Sequence, residues 1–485
     1  MNHYLNSRGY VILKSQLTPK QIDAIKNDLT ISPIENHVVK TANNQSKKIM
    51  VFKENEKKMY LPRFYGIQKF GLPSKVELAE GDTIHVPFAK ELRDYQKDIV
   101  KIYLSHVKDG LGGGILEVPC GRGKTIMGLN ILSRLQKKTL IIVHKEFLLN
   151  QWVDRINEFI PNARVGRIQG KTFDIENKDI VIGMIQTIYD RSYPDNTFAS
   201  FGLTILDEVH RAGSEEFSKT LLKIVTPYML GISATVDRKD GLTELLYMFI
   251  GPKIYSEDRN EKDGVEVRAC QYTHYHEDYT KELFDHRGNI QYSSMINIIS
   301  DFVPRRQFIL QVLQDLIKED DEKQIMVLSH KRDLLTYLET EINRSSFATC
   351  GQYVGGMKQL SLNETETKQI VLATYSMAAE ALDIKTLNTL VMVSPKTDIV
   401  QSVGRILRTS GNGKIIVDIV DSHDVFKNQW KKRQTFYRKS EYTIKTVTSE
   451  DYHDMNETAN WKVLYDPKKK TRHRKHDDTK CELTL

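Results

Sequence analysis

Short apolar runs recur along the chain, each followed by a stretch with helical spacing. Residues 139–144 (TLIIVH), 180–184 (IVIGM), 203–208 (LTILDE) and 229–235 (MLGISAT) are flat runs without alternation. That pattern predicts buried parallel strands covered by helices on both faces. A second set follows at 324–330 (QIMVLSH), 369–374 (QIVLAT), 387–394 (LNTLVMVS) and 413–420 (GKIIVDIV). Two successive sets predict two doubly wound α/β lobes. The N-terminal residues have another texture, with a helix-like stretch at 18–29 and then KKIMVFKEN and KMYLPRFYGIQKFG, which reads as a small α+β domain. The predicted division is therefore 1–85 accessory domain, 86–255 first lobe, 256–300 polar connecting region, 301–445 second lobe, and 446–485 basic, flexible tail.

Composition adds bounds rather than chemistry. The chain has 485 residues, enough for roughly three domains of about 150 residues each. Its 40% hydrophobic and 27% charged content is that of an ordinary globular protein. Cys120, Cys270, Cys350 and Cys481 are scattered, which suggests neither a disulfide framework nor a zinc site and points to a reducing interior. The beginning has no long apolar core, and no run approaches the roughly 20 apolar residues of a membrane span. The expectation is a soluble intracellular protein without a membrane partner. The net charge of +7 collects partly in DPKKKTRHRKH, residues 466–476, and permits a nucleic-acid partner without demanding one.

The chemistry concentrates in ILEVPCGRGKT, residues 115–125, where an apolar run meets Gly-Arg-Gly-Lys-Thr. A strict phosphate-binding loop has Gly where this chain has Val118. Gly121 and Gly123 still let backbone N–H groups turn inward onto phosphate oxygens. Lys124 is placed to reach the terminal phosphates and the Thr125 hydroxyl to hold Mg²⁺, with Pro119, Cys120 and Arg122 completing the loop. The run ILDEVH ends on Asp207 and Glu208, two adjacent carboxylates at the edge of a parallel strand where ligands bind in such sheets. Asp207 suits Mg²⁺, and Glu208 suits polarisation of the water that attacks a γ-phosphate.

The order of these motifs, followed by SAT at 233–235 and QSVGRILR at 401–408, resembles a superfamily 2 helicase over roughly 92–408. The first loop position is often not Gly in that superfamily. SATVDRKDGL, YVGGMK and ALDIKTLNTL are similar to the group of the xeroderma-pigmentosum-B helicase, phage branch-migration helicases and the poxvirus transcript-release helicase, and the N-terminal YLPRFYGIQKFG resembles homologues in large nucleocytoplasmic DNA viruses. Within it, the resemblance is greatest to homologues in large nucleocytoplasmic DNA viruses. Val236 stands where that group usually has Pro, and Ala381 where many relatives have Gly.

The resemblance implies two tandem RecA-like lobes using ATP and Mg²⁺, and a monomer moving along DNA, 3′ to 5′, in viral transcription or replication. A host cytoplasmic or nuclear location, or packaging in the virion, would follow. It gives Gln96 of LRDYQ the adenine edge, Asp383 the ribose, Gln401 the nucleotide, and Arg408 with Arg405 the γ-phosphate charge as an arginine finger pair. His210 and Ser233 to Thr235 would link hydrolysis to the nucleic-acid groove. Donors to the nucleic-acid backbone would be His144, Lys145, Gln186 and Thr187 in the first lobe and His330, Lys331 and Thr374 in the second. An RNA helicase, and a duplex translocase that remodels complexes without separating strands, remain alternative readings. Aromatics among cations at 430–442 could stack bases, but their helical spacing predicts core packing.

Overall fold

The computed structural model describes residues 3–32, 48–108, 112–119, 121–208, 214–234, 236, 243–257, 264–380, 384, 386–397, 399, 402–403, 413–455 and 460–468. The chain divides into two compact units, Met1–Arg259 and Asn260–Leu485. Among the described residues no helix is long and apolar enough to cross a membrane.

The first unit opens with a five-stranded sheet in the order Lys53–Glu54, Lys58–Leu61, Gly9–Leu13, Tyr4–Asn6, Lys75–Val76. Its helix Pro19–Asp28 starts where the polar-apolar pattern placed it. Thr18 accepts from Gln21 N at 3.3 Å while the Gln21 side chain accepts from Thr18 N at 2.8 Å, a reciprocal cap that satisfies two otherwise orphaned donors. This domain is not separately cored. Tyr10, Ile12, Met59 and Leu61 pack in one apolar cluster with Ile224, Met229, Phe249 and Ile250 of the first lobe. Arg63 crosses the same boundary, donating to the carbonyls of Thr226 and Pro227 at 3.2 and 2.9 Å.

The lobe itself is an eight-stranded sheet in the order Thr172–Phe173, Val165–Gln169, Ile180–Met184, Thr139–Val143, Leu203–Asp207, Tyr228–Ser233, Gly113–Glu117, Lys253–Ser256. Every pairing except that of the first two strands is parallel. The strand leading into the glycine loop and the strand ending in Asp207 are thus separated by one strand, Tyr228–Ser233. Both ends open on the same edge of the sheet.

The second unit is another eight-stranded sheet, in the order Cys350–Tyr353, Ile370–Thr374, Ile325–Ser329, Thr389–Met392, Lys414–Asp421, Val265–Tyr272, Thr443–Thr448, Lys462–Tyr465, with only the last pair antiparallel. Two expectations need correction here. Residues 256–300 supply Val265–Tyr272, an inner strand paired on both sides, and not merely a connection. Its alternation VEVRACQY hid it, because Glu266 and Arg268 are matched by Lys445 at 2.7 Å and Glu319 at 2.8 Å rather than by apolar neighbours. Residues 446–448 and 462–465 of the expected tail belong to the sheet, in the strands Thr443–Thr448 and Lys462–Tyr465. The basic remainder at 469–485 lies outside the described residues. The aromatic stretch at 430–442 is core, with Trp430, Tyr437 and Tyr442 buried.

Candidate functional site

The strand Gly113–Glu117 is buried apart from its last residue, and the chain turns from it into the helix Lys124–Leu135. Gly121 and Gly123 take φ of 83° and 79°, the left-handed region where a side chain is strained. At Gly123 a Cβ would also lie 2.3 Å from Gln96 Nε2, so the loop and Gln96 are packed directly together. Gln96 Oε1 accepts from Arg93 N at 3.0 Å, and its Nε2 donates to the Arg122 carbonyl at 3.0 Å. The Arg122 guanidinium lies 4.0 Å over the Tyr95 ring and pairs with Glu257. Gln96 therefore props the loop, and Tyr95 shapes its outer wall through a cation–π contact.

The two carboxylates meet this loop. Lys124 Nζ donates to Glu208 Oε1 at 2.8 Å, with both side chains largely enclosed. Glu208 has φ of 51°, a conformation uncommon for a non-glycine residue and found where a site over-determines the backbone. Its N–H donates to the Ile232 carbonyl at 2.9 Å, tying it to the strand that precedes the SAT segment. Asp207 accepts from Trp152 Nε1 at 2.9 Å. Burial and then the neighbouring Glu208 charge push the Asp207 carboxyl up to about 6, against the pull of Lys124 and the indole N–H. Glu117 accepts from Val236 N, Lys253 Nζ and Ser256 Oγ at 2.7, 2.8 and 2.7 Å, anchoring the chain just after SAT. A lone hydroxyl from Thr125 and one carboxylate, with phosphate oxygens completing the shell, is a donor set that suits Mg²⁺.

On the same edge of the first lobe, the paired strands Thr139–Val143 and Ile180–Met184 bring His144 and Gln186 together, with Gln186 Nε2 donating to the His144 carbonyl at 3.2 Å. Lys145 stands at the N-cap position of the helix Glu146–Phe159 without a side-chain capping bond, and Thr187 Oγ1 accepts from Gly170 N at 3.1 Å. In the second unit, neighbouring strand ends bring His330 and Thr374 together. His330 Nε2 lies 3.0 Å from the Pro395 carbonyl, and burial holds its imidazole below the ordinary pKa. A neutral ring donating from Nε2 leaves Nδ1 an acceptor, which cannot donate to phosphate. Lys331 N donates to Ser329 Oγ at 2.9 Å, and Thr374 Oγ1 lies 3.3 Å from Ser376 Oγ. Cys120, His210, Thr235, Asp383, Gln401, Arg405 and Arg408 lie outside the described residues.

Sequence reasoning passed over Trp152, Tyr95, Glu117 and Glu257. For Trp152 a signal existed: a buried indole on an amphipathic helix has an N–H that must find a partner.

The family model described as "Type III restriction enzyme, res subunit" matches residues 89–238. A protein of Acanthamoeba polyphaga mimivirus, named "Putative ATP-dependent RNA helicase", is 35% identical over 447 residues, 90% of this chain and 85% of its own. The chain belongs to the superfamily 2 helicases, on the branch found in large DNA viruses. This helicase is a nucleic-acid-dependent ATPase built on two RecA-like lobes. It is also 31% identical over 260 residues to the DNA 3′-5′ translocase XPB2 of Sulfurisphaera tokodaii, covering 52% of this chain and 55% of that one. Among solved structures, S. cerevisiae Dbp5 bound to RNA and ADP BeF3 has a TM-score of 0.52 at 11% identity over 73% of this chain and 90% of its own, a likeness of fold.

Proposed function

We propose that this helicase is an ATP·Mg²⁺-driven motor on DNA that couples hydrolysis to movement and strand separation. The observation that carries the ATPase assignment is the 2.8 Å contact between Lys124 and Glu208, which assembles glycine loop and carboxylate pair into one site. On nucleotide binding, Lys124 exchanges the Glu208 carboxylate for β- and γ-phosphate oxygens, cradled by the N–H groups at Gly121 to Thr125. Glu208 is then free to accept the proton of the attacking water. Thr125 and Asp207 would hold Mg²⁺, which would supply neutralisation of phosphate charge there. Gln96 would read the adenine edge only once its amide leaves the Arg93 N–H and the Arg122 carbonyl that engage it here. Asp383, Gln401, Arg405 and Arg408 would add the ribose contact and the finger pair. His210 with Ser233 to Thr235 would relay the state of the site.

Backbone contacts would come from His144, Lys145, Gln186 and Thr187, and from His330, Lys331 and Thr374. His330 would do so only once protonated or freed from Pro395. What supports DNA is the similarity over 260 residues to a protein named as a DNA translocase. The name of the mimivirus relative favours RNA as the second reading. A duplex translocase without strand separation would use the same residues. A role in viral transcription, with transcript release, or in replication is what we infer.

The test is a pair of variants. Lys124→Ala and Glu208→Gln should each abolish ATP turnover, while Glu208→Gln still binds ATP with near wild-type affinity. Normal turnover by Glu208→Gln would remove it from the role of base.

A further inference from the structure

Trp152 sits where three parts of the first lobe converge. It lies on the helix Glu146–Phe159, whose apolar face Leu148, Leu149, Trp152, Ile156 and Phe159 is spaced for burial against the sheet. Its side chain is 1% exposed. One edge of the ring covers Gly128 in the helix Lys124–Leu135 that begins at the phosphate loop. A Cβ there would lie 3.2 Å from Trp152 Cη2, tighter than most contacts and already matched by Ile232 Cδ1 at 3.1 Å on the other side. The other edge donates Nε1–H to Asp207 Oδ2 at 2.9 Å. The same helix starts directly after His144 and Lys145.

We propose that Trp152 is a positioning residue of the motor: its indole N–H fixes the Asp207 carboxylate for the metal-bound nucleotide, and its helix links that carboxylate to the His144–Lys145 segment. The coupling half rests on the reading of that segment as a nucleic-acid contact. The physical reason is orientation. A carboxylate at a strand end rotates about its own bond, and a buried donor on one oxygen leaves the second aimed at a single place. Partners of metal-holding carboxylates are worth about 10- to 100-fold in metal affinity or activity. The helix that carries the donor is a rigid body of 14 residues, so displacement of its first turn moves the indole with it.

The experiment compares wild type with Trp152→Phe, which keeps an aromatic ring in the core, shortened on the Gly128 side, and removes the N–H. The probe is N-methylanthraniloyl-ADP, titrated in Mg²⁺ and again in EDTA. Affinity in EDTA should stay within about twofold of wild type, and the gain on adding Mg²⁺ should fall at least about tenfold. In an Asp207→Asn background the same substitution should change that gain no further, because the two residues act through one bond. An unchanged Mg²⁺ gain, or an equal loss with and without Mg²⁺, overturns the positioning role and leaves Trp152 a packing residue. Fold-stimulation of ATP turnover by single-stranded DNA is then measured on the same proteins. A severalfold smaller ratio in Trp152→Phe supports the coupling, and an unchanged ratio overturns it while the positioning role stands. Wild-type protein that no nucleic acid stimulates would instead contradict the DNA-motor reading, with the Mg²⁺ titration still deciding the role of Trp152.

Discussion

Glu117 ends the strand that leads into the phosphate loop, and its carboxylate holds three donors at once: Val236 N, Lys253 Nζ and Ser256 Oγ. Burial alone would raise its pKa, but Lys253, Ser256 and the Val236 N–H outweigh it and hold the group below the ordinary glutamate value. Such a group stabilises the fold fully above the unfolded value of about 4.3 and loses that contribution as pH falls through its lower folded pKa. Glu117→Gln should therefore cost about 1–3 kcal/mol at pH 7. The difference from wild type should shrink in melts run below pH ~4. A difference constant from pH 7 to pH 3 would mean that the charge does not hold the SAT segment. At this scale the sequence was a partial guide. Lys124, Asp207 and Glu208 were legible because an adjacent glycine pattern and a strand-end carboxylate pair admit few other readings. Glu117 and Trp152 were not, since a terminal glutamate and a helical tryptophan are ordinary until the fold brings partners separated by more than 50 residues onto them.

Among the elements, the eight flat apolar runs are all strands, and for one reason: each is covered on both faces, so no alternation is required. Strands that alternate, Val265–Tyr272 and Thr443–Thr448, escaped because ion pairs and hydroxyls line part of each. The inner strands of the second unit also carry buried charge. Asp421 accepts two bonds from Arg305, at 2.6 and 2.8 Å, and one from Tyr279 at 3.1 Å, with both charged side chains fully enclosed. Asp418 is held likewise by Arg433 and Tyr437. Arg305→Met leaves Asp421 uncompensated and should destabilise the second unit by about 3–5 kcal/mol. In urea titrations of both variants, combining it with Asp421→Leu should recover most of the loss, because removing both charges removes the stranded one. If the double variant were as unstable as the single, Arg305 would act by packing rather than by charge.

The whole molecule has its least expected feature in its first 77 residues. The texture of residues 1–85 suggested a separate accessory domain, yet the helix Arg63–Phe70 lies on Thr243–Ile250, and the two share an apolar cluster. Periodicity along the chain marks where elements lie but not which of them share a core, which is why that fusion was not legible. Deleting residues 1–77 should expose Phe249, Ile250 and Met229 to water. The remaining motor should then be recovered as aggregate or melt with a broad, low transition, read by circular dichroism. A cooperative, ATP-binding fragment would show that the cluster is dispensable.

What the two RecA-like lobes act on decides which nucleic acid stimulates their ATP turnover. ATP hydrolysis by the full chain is followed without nucleic acid and with single-stranded DNA, duplex DNA or RNA, using Glu208→Gln as the blank. We expect strong stimulation by DNA, weakening with salt by roughly 0.7 log units per log unit of salt for each phosphate neutralised on single strands, and little by RNA. Stimulation by RNA alone would contradict the DNA assignment and place the protein with the motors its mimivirus relative is named for.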